Sequence, residues 1–251
     1  MSVPLTDVVT FLDDYLRVEQ TPDYPTAMNG LQVGGQGPVT QFAVAVDASE
    51  TIIDSVKEWA DLLIVHHGLF WGGLQPVTGP LYRKVKALVE SNTALYSVHL
   101  PLDRHAEVGN AAVLARELGM KALEPFGEYQ GISIGWRGRL HEPLEGLQAR
   151  LAALVGGEVR VLPGGPDPVQ RVAVVTGGGA SFIKEAASEG IDALITGEAQ
   201  HHHAIESQEL GVSTLLGGHY ATETWGVKEL STLLKDRFQI DGLFVDAPTG
   251  L

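Results

Sequence analysis

His66 and His67 come directly after the apolar run Leu62-Leu63-Ile64-Val65, His99 after Leu95-Tyr96-Ser97-Val98, and His219 two glycines after Thr214-Leu215-Leu216. Short apolar runs of this kind read as buried strands, and strand ends are the rigid supports that a metal ligand needs. Adjacent residues of an extended chain point to opposite sides. His66 and His67 therefore suit two neighbouring ions, one each, better than a single ion, and Gly68 eases the turn this requires. Asp103 can add a hard oxygen donor. In His219-x-x-x-Glu223 the helical spacing brings both side chains to one face, where the carboxylate can bridge two ions. With only nitrogen and oxygen donors, the metals that fit are Zn, Mn, Fe, Co or Ni rather than Cu(I).

A lone histidine after a strand is ordinarily a hydrogen-bonded structural residue, so the argument rests on the joint set. His99 stays open between three roles: a ligand, a residue that orients a ligand, or a substrate contact. Glu198 ends Asp192-Ala193-Leu194-Ile195-Thr196-Gly197-Glu198, in the place that His67 takes in Asp61-Leu62-Leu63-Ile64-Val65-His66-His67. It reads as a general base or as a residue lining the cleft. His201-His202-His203 reads as a solvated helix start or loop. Thr176-Gly177-Gly178-Gly179-Ala180 matches neither Gly-x-x-x-x-Gly-Lys-Ser/Thr nor Gly-x-Gly-x-x-Gly and reads as a tight turn. Ser181 lacks the Gly-x-Ser-x-Gly setting of a serine hydrolase.

The elements that must hold these residues alternate. Apolar residues recur at helical spacing over 5–17, followed by a break at Thr21-Pro22 to Pro25. Strands are expected at 42–46, 62–65 and 94–98, with helices from Ile52 to Trp59, over 80–90 and over 109–118. Such alternation argues for a parallel or mixed sheet covered by helices. Residues 131–161 have the texture of a small βαβ unit, and Pro163-Gly164-Gly165-Pro166-Asp167-Pro168 marks a boundary or exposed loop. The earlier pattern then returns. Arg171-Val172-Ala173-Val174-Val175 resembles the run at 42–46, and each half reaches a strand ending in a histidine with a carboxylate four positions on: His99 with Asp103, and His219 with Glu223. The expectation is a degenerate duplication giving an α/β fold of two similar three-layer lobes. Mixed sheets are covered by helices and the metal site lies in the cleft between the lobes. The first lobe spans 1–123 and the second 124–251, including the βαβ-like segment 131–161. Open α/β sheets place their sites at such strand ends.

Composition narrows the function. The 251 residues carry 17 Lys+Arg against 31 Asp+Glu, a net charge of -14, and no Lys/Arg cluster is visible along the chain. The mean field repels a nucleic-acid backbone or an anionic membrane. The chain contains no cysteine, which excludes disulfides, thiolate catalysis and Cys-based metal sites. No apolar stretch is long enough for a membrane span, and the first residues lack the pattern of a signal peptide. A cytoplasmic location is expected.

The segments Asn29-Gly30-Leu31-Gln32-Val33-Gly34, Ile64-Val65-His66-His67-Gly68-Leu69-Phe70-Trp71 and Ser97-Val98-His99-Leu100-Pro101-Leu102-Asp103 together resemble the Nif-three-like family, the GTP cyclohydrolase I type 2 homologues. Gly109-Asn110, Ile195-Thr196-Gly197-Glu198 and Gly217-Gly218-His219-Tyr220-Ala221-Thr222-Glu223 extend the resemblance over essentially the whole chain. The resemblance implies a dinuclear site with His66, His67, Asp103, His219 and Glu223 as ligands, Glu223 being shared, and two divalent metal ions per chain. It also implies a toroidal homohexamer with its metals facing an internal cavity.

Two functions are compatible with this. In the first, the protein is a metal-dependent hydrolase acting on a nucleotide-sized substrate, with His99 or Glu198 as proton carrier. Paired ions activate water and clamp an oxyanion or phosphate, and they invert the sign of the field locally. In the second, the protein is a non-catalytic metal-binding oligomer that scaffolds or regulates a partner.

Overall fold

Leu62, Leu63, Ile64 and Val65 are all fully buried, as expected of a parallel strand covered on both faces. The computed structural model describes residues 1–251. In chain order the first part contains β1 (Val3–Pro4), α1 (Leu5–Leu16), β2 (Gly30–Val33), β3 (Pro38–Val39), β4 (Gln41–Asp47), α2 (Glu50–Val56), β5 (Leu62–His67), α3 (Gly79–Ser91), β6 (Ala94–Ser97) and α4 (Leu100–Asp103). Then come α5 (Asn110–Glu117), β7 (Lys121–Tyr129), β8 (Ile132–Glu142), α6 (Leu144–Val155), β9 (Arg160–Leu162), β10 (Val169–Val174), α7 (Ile183–Ser188), β11 (Ala193–Thr196), α8 (His201–Leu210), β12 (Ser213–Leu216) and α9 (His219–Thr222). The chain closes with α10 (Thr224–Phe238) and β13 (Asp241–Phe244). No helix is long and apolar enough to cross a membrane.

These elements form two compact units, each an α/β assembly with one mixed sheet as its main layer. The first comprises Met1–Leu102 and Gly226–Ala247. Its sheet has the order β13-β4-β5-β6-β2, with β13, β4, β5 and β6 parallel and β2 antiparallel at the edge. Leu63 and Val65 point into a core shared with Ile52, Ile53 and Val56 of α2 and Leu81 and Leu88 of α3. The buried positions Val8, Leu12 and Leu16 make one face of α1, the stripe expected of an amphipathic helix. Ser49 caps α2, its hydroxyl accepting from the Ile52 N–H, which satisfies one of the first-turn donors.

The second unit comprises Asp103–Trp225 and Pro248–Leu251. Its sheet has the order β7-β8-β10-β11-β12-β9, with β10, β11 and β12 parallel and the flanking strands antiparallel to their neighbours. Ala111, Leu114, Ala115 and Leu118 from the α5 region join Leu147 and Leu151 of α6 and Val172, Val174, Ile195 and Leu215 of the strands in one core.

The lobe boundary read from sequence at 123/124 differs from this division. Residues 103–123 belong to the second unit because α5 gives its apolar face to that core. Residues 226–247 return to the first because β13 adds in parallel to β4. The segment 131–161, read as βαβ-like within the second lobe, runs β8, α6, β9. β8 pairs with β10 and β9 with β12, so the strands flank the three parallel strands of the same sheet. The hairpin strand β7 shows no clear alternation in sequence and is not among the expected strands. The long extension of β5 also differs from the reading that the strand stops before the histidines. Both His66 and His67 lie within it, and His67 is in register with Asp47 of β4.

Candidate metal centre

In the first unit three histidines meet at the carboxyl ends of β5 and β6. The two strands are parallel, and Val65 pairs with Ser97, which brings the residues following each to the same edge. The ring centroids of His66 and His67 lie 4.7 Å apart, those of His66 and His99 5.0 Å and those of His67 and His99 5.7 Å. One ligand nitrogen from each lies within 4.8 Å of the others. His66 is fully buried, and the ring of Trp71 stands edge-on to His99 with centroids 4.7 Å apart.

Each of these rings is held by Nδ1. That of His66 donates to the Val98 carbonyl at 2.9 Å, that of His67 to Asp47 Oδ1 at 2.9 Å and that of His99 to Asp23 Oδ1 at 2.9 Å. With the proton placed on Nδ1 by these acceptors, Nε2 presents its lone pair. Metal-bound histidines are oriented in this way, the far nitrogen donating to a carboxylate or carbonyl. Asp23 is itself fixed. Its Oδ2 accepts from Asn29 Nδ2 at 2.8 Å and from the Leu100 N–H at 3.0 Å, while the Asn29 carbonyl oxygen receives the His99 N–H at 2.7 Å. Burial pushes the Asp23 carboxyl up, but the His99 ring and the donors from Asn29 and Tyr24 outweigh it and hold the group below its ordinary value.

In the second unit Asp103, His219 and Glu223 gather around the turn that follows β10. Asp103 is buried and accepts from Asn110 Nδ2 at 2.8 Å and from the Thr176 hydroxyl at 3.4 Å. The next residue, Gly177, has φ +61°, and a Cβ there would lie 2.0 Å from Glu223 Oε1 and 3.2 Å from His219 Nε2. The turn is therefore a cradle that only glycine leaves open. Although α9 ends at Thr222, His219 Nε2 is 3.2 Å from Glu223 Oε2, so the four-residue spacing does what the sequence suggests. His219 Nδ1 faces Glu198 Oε1 at 2.9 Å. The bond to Glu223 lifts the imidazole pKa, burial opposes it and Glu198 adds to the rise, to about 9.

All five ligand candidates thus sit in polar, pre-oriented surroundings within their own units, with hard oxygen and imidazole donors only. This donor chemistry fits divalent transition metals. Of the two residues read as proton carriers, His99 stands with His66 and His67 as a third imidazole, and Glu198 is the orienting partner of His219. Sequence reasoning misses Asp23 and Asp47. Asp47 terminates a buried strand, the same signal that marks the histidines, whereas Asp23 lies in a Pro-rich loop with no local signal. His201-His202-His203 opens α8, where Gln200 and His203 form a reciprocal cap, as a helix start should.

A family model described as Duf34/NIF3 (NGG1p interacting factor 3) matches residues 3–249. A Halobacterium salinarum protein named GTP cyclohydrolase 1 type 2 homolog is 46% identical over 254 residues, covering 98% of this chain and 99% of that one. A Pyrococcus horikoshii protein of the same name is 45% identical over 249 residues, covering 98% of both. The crystal structure of TTHA1606 from Thermus thermophilus matches with a TM-score of 0.91 and 40% identity over 99% of this chain and 100% of that one.

Proposed function

The chain belongs to the Duf34/NIF3 family, and from that premise we propose that it is a dinuclear metal-dependent hydrolase acting on a nucleotide-sized substrate, with His66, His67, Asp103, His219 and Glu223 as the ligands of two divalent ions. The observation that carries this reading is shared by four histidines. His66, His67, His99 and His219 each engage Nδ1 with a backbone carbonyl or a carboxylate, which directs Nε2 to one task. The name borne by the relatives supports the substrate class.

His66, His67, Asp103, His219 and Glu223 would hold the divalent ions, which would supply Lewis acidity for activating water and for countering developing negative charge. The chain's own residues do the rest. Asp47 and the Val98 carbonyl fix the adjacent imidazoles, and Asn110 and Thr176 hold the Asp103 carboxylate. Glu198 is half exposed, with 53% of its side chain accessible; its Oε1 is engaged by His219, which leaves Oε2 to take or return a proton. Trp71 and Tyr24 pack against His99 and limit water on that side. We further propose a closed homohexamer as the working form, closed symmetry being the common route to soluble assemblies.

Metal-loaded protein assayed against a nucleotide panel including GTP, beside His66→Ala, tests this reading. Metal-dependent turnover that the variant loses supports it. Stoichiometric metal binding with no turnover across the panel refutes the hydrolase and leaves a metal-binding scaffold. Light scattering that gives a monomer near 26.8 kDa would refute the assembly.

A further inference from the structure

Three cations stand side by side on the second sheet. Lys121 of β7 is in register with Arg139 of β8, and Arg139 is in register with Arg171 of β10. Like charges directly opposite one another across strands are destabilising, and this chain has only 17 Lys+Arg residues against 31 Asp+Glu. Yet none of the three has an acidic side-chain partner, and all are exposed. Neighbouring acids are engaged elsewhere. Glu124 and Glu189 hold Arg137, and Asp192 Oδ2 accepts the N–H groups of Gln170 and Arg171, each at 2.8 Å. No run of the sequence shows the row, because its members are brought together only by strand register.

The backbone around the row is irregular on both sides. Between Lys121 and Glu124 β7 carries one residue more than β8, with Ala122 at φ +51°, and between Val169 and Arg171 β8 carries one residue more than β10. Both bulges abut Arg139. Bulges re-aim side chains and gather beside functional sites, and a non-glycine residue in the left-handed region persists only where its surroundings impose it. The three cations line one surface cavity of about 900 Å³, together with Arg137, His141 and Gln170, a volume in the range of small-molecule sites.

We propose that this cavity binds an oligophosphate, either free or as the phosphate chain of a nucleotide. Adjacent strands lie about 4.8 Å apart, so the row spans about 10 Å, which suits a chain of phosphates rather than a single one. Arginine and lysine donors recognise phosphate oxygens by charge-assisted hydrogen bonds, and the cavity lining carries Lys121, Arg137, Arg139 and Arg171 against one acid, Glu124, a balance opposite in sign to the net charge of the whole chain.

Calorimetric titration of the full-length protein with tripolyphosphate, GTP and inorganic phosphate tests the site, with Arg139→Ala, Arg171→Ala and His66→Ala alongside. Saturable tripolyphosphate binding is expected to weaken as salt rises, and by about tenfold for each arginine removed, the scale of a hydrogen bond to a charged group. His66→Ala should retain it. GTP binding as tightly as tripolyphosphate assigns the nucleotide as the source, and GTP binding more weakly assigns the free chain. The melting temperature of Arg139→Ala should not fall, since the change removes opposed like charges. Binding unchanged in both arginine variants, binding lost in His66→Ala, or inorganic phosphate as tight as tripolyphosphate would each overturn the proposal. So would dissociation of the assembly in Arg139→Ala with phosphate binding intact, which would make the row a contact between copies.

Discussion

His67 donates from Nδ1 to Asp47 Oδ1 across adjacent parallel strands, 2.9 Å apart and in register. The two residues pair because β4 and β5 end together, so the aspartate sets both the tautomer and the plane of the ring. Asp47→Ala should therefore weaken metal binding by about 10–100-fold, the usual effect of removing such an orienting partner, while the fold persists. Titration of the variant with Zn or Mn checks this. Unchanged affinity would mean that His67 is not a ligand.

Metal removal should lower the melting temperature. Ligands that bind only the folded chain stabilise it by about 2.7 kcal/mol per site at a hundredfold excess over the dissociation constant. The proposed ligands run from His66 to Glu223, so no unfolded segment reproduces the set. Thermal denaturation with and without chelator measures the shift, and identical curves for protein shown by elemental analysis to carry metal would contradict the assignment.

Glu223→Ala and Asp103→Ala should behave differently. A bridging carboxylate serves both ions, so its loss should weaken both, whereas Asp103→Ala should weaken one. Calorimetric stoichiometry separates the cases, and equal single-ion losses in both variants would rule out the bridge.

Gly177→Ala should impair metal binding as severely as a change in a ligand. Its methyl would be built 2.0 Å from Glu223 Oε1, and the left-handed conformation alone costs a residue with a Cβ about 1–2 kcal/mol. A variant that melts lower but binds two ions with native affinity would show that the cradle serves only the turn.

Much of the molecule follows from local pattern. The run Leu62-Leu63-Ile64-Val65 is a buried strand because four consecutive apolar residues can be satisfied only between two covered faces. The stripe Val8, Leu12, Leu16 is a helix because that period makes one face apolar. The strand-end histidines and the His219–Glu223 pair are legible for the same reason, since their geometry is set within a few residues. What local pattern cannot encode is which edge of which sheet a later segment will choose. Residues 226–247 rejoin the first unit because β4 has an open edge for β13, a choice made by long-range pairing. Asp23 reaches His99 across 76 positions of sequence from a loop with no periodicity of its own. The row Lys121, Arg139, Arg171 depends on two bulges that shift the register of three strands. A one-residue slip moves every side chain to the other face, so only the assembled sheet decides which charges stand together.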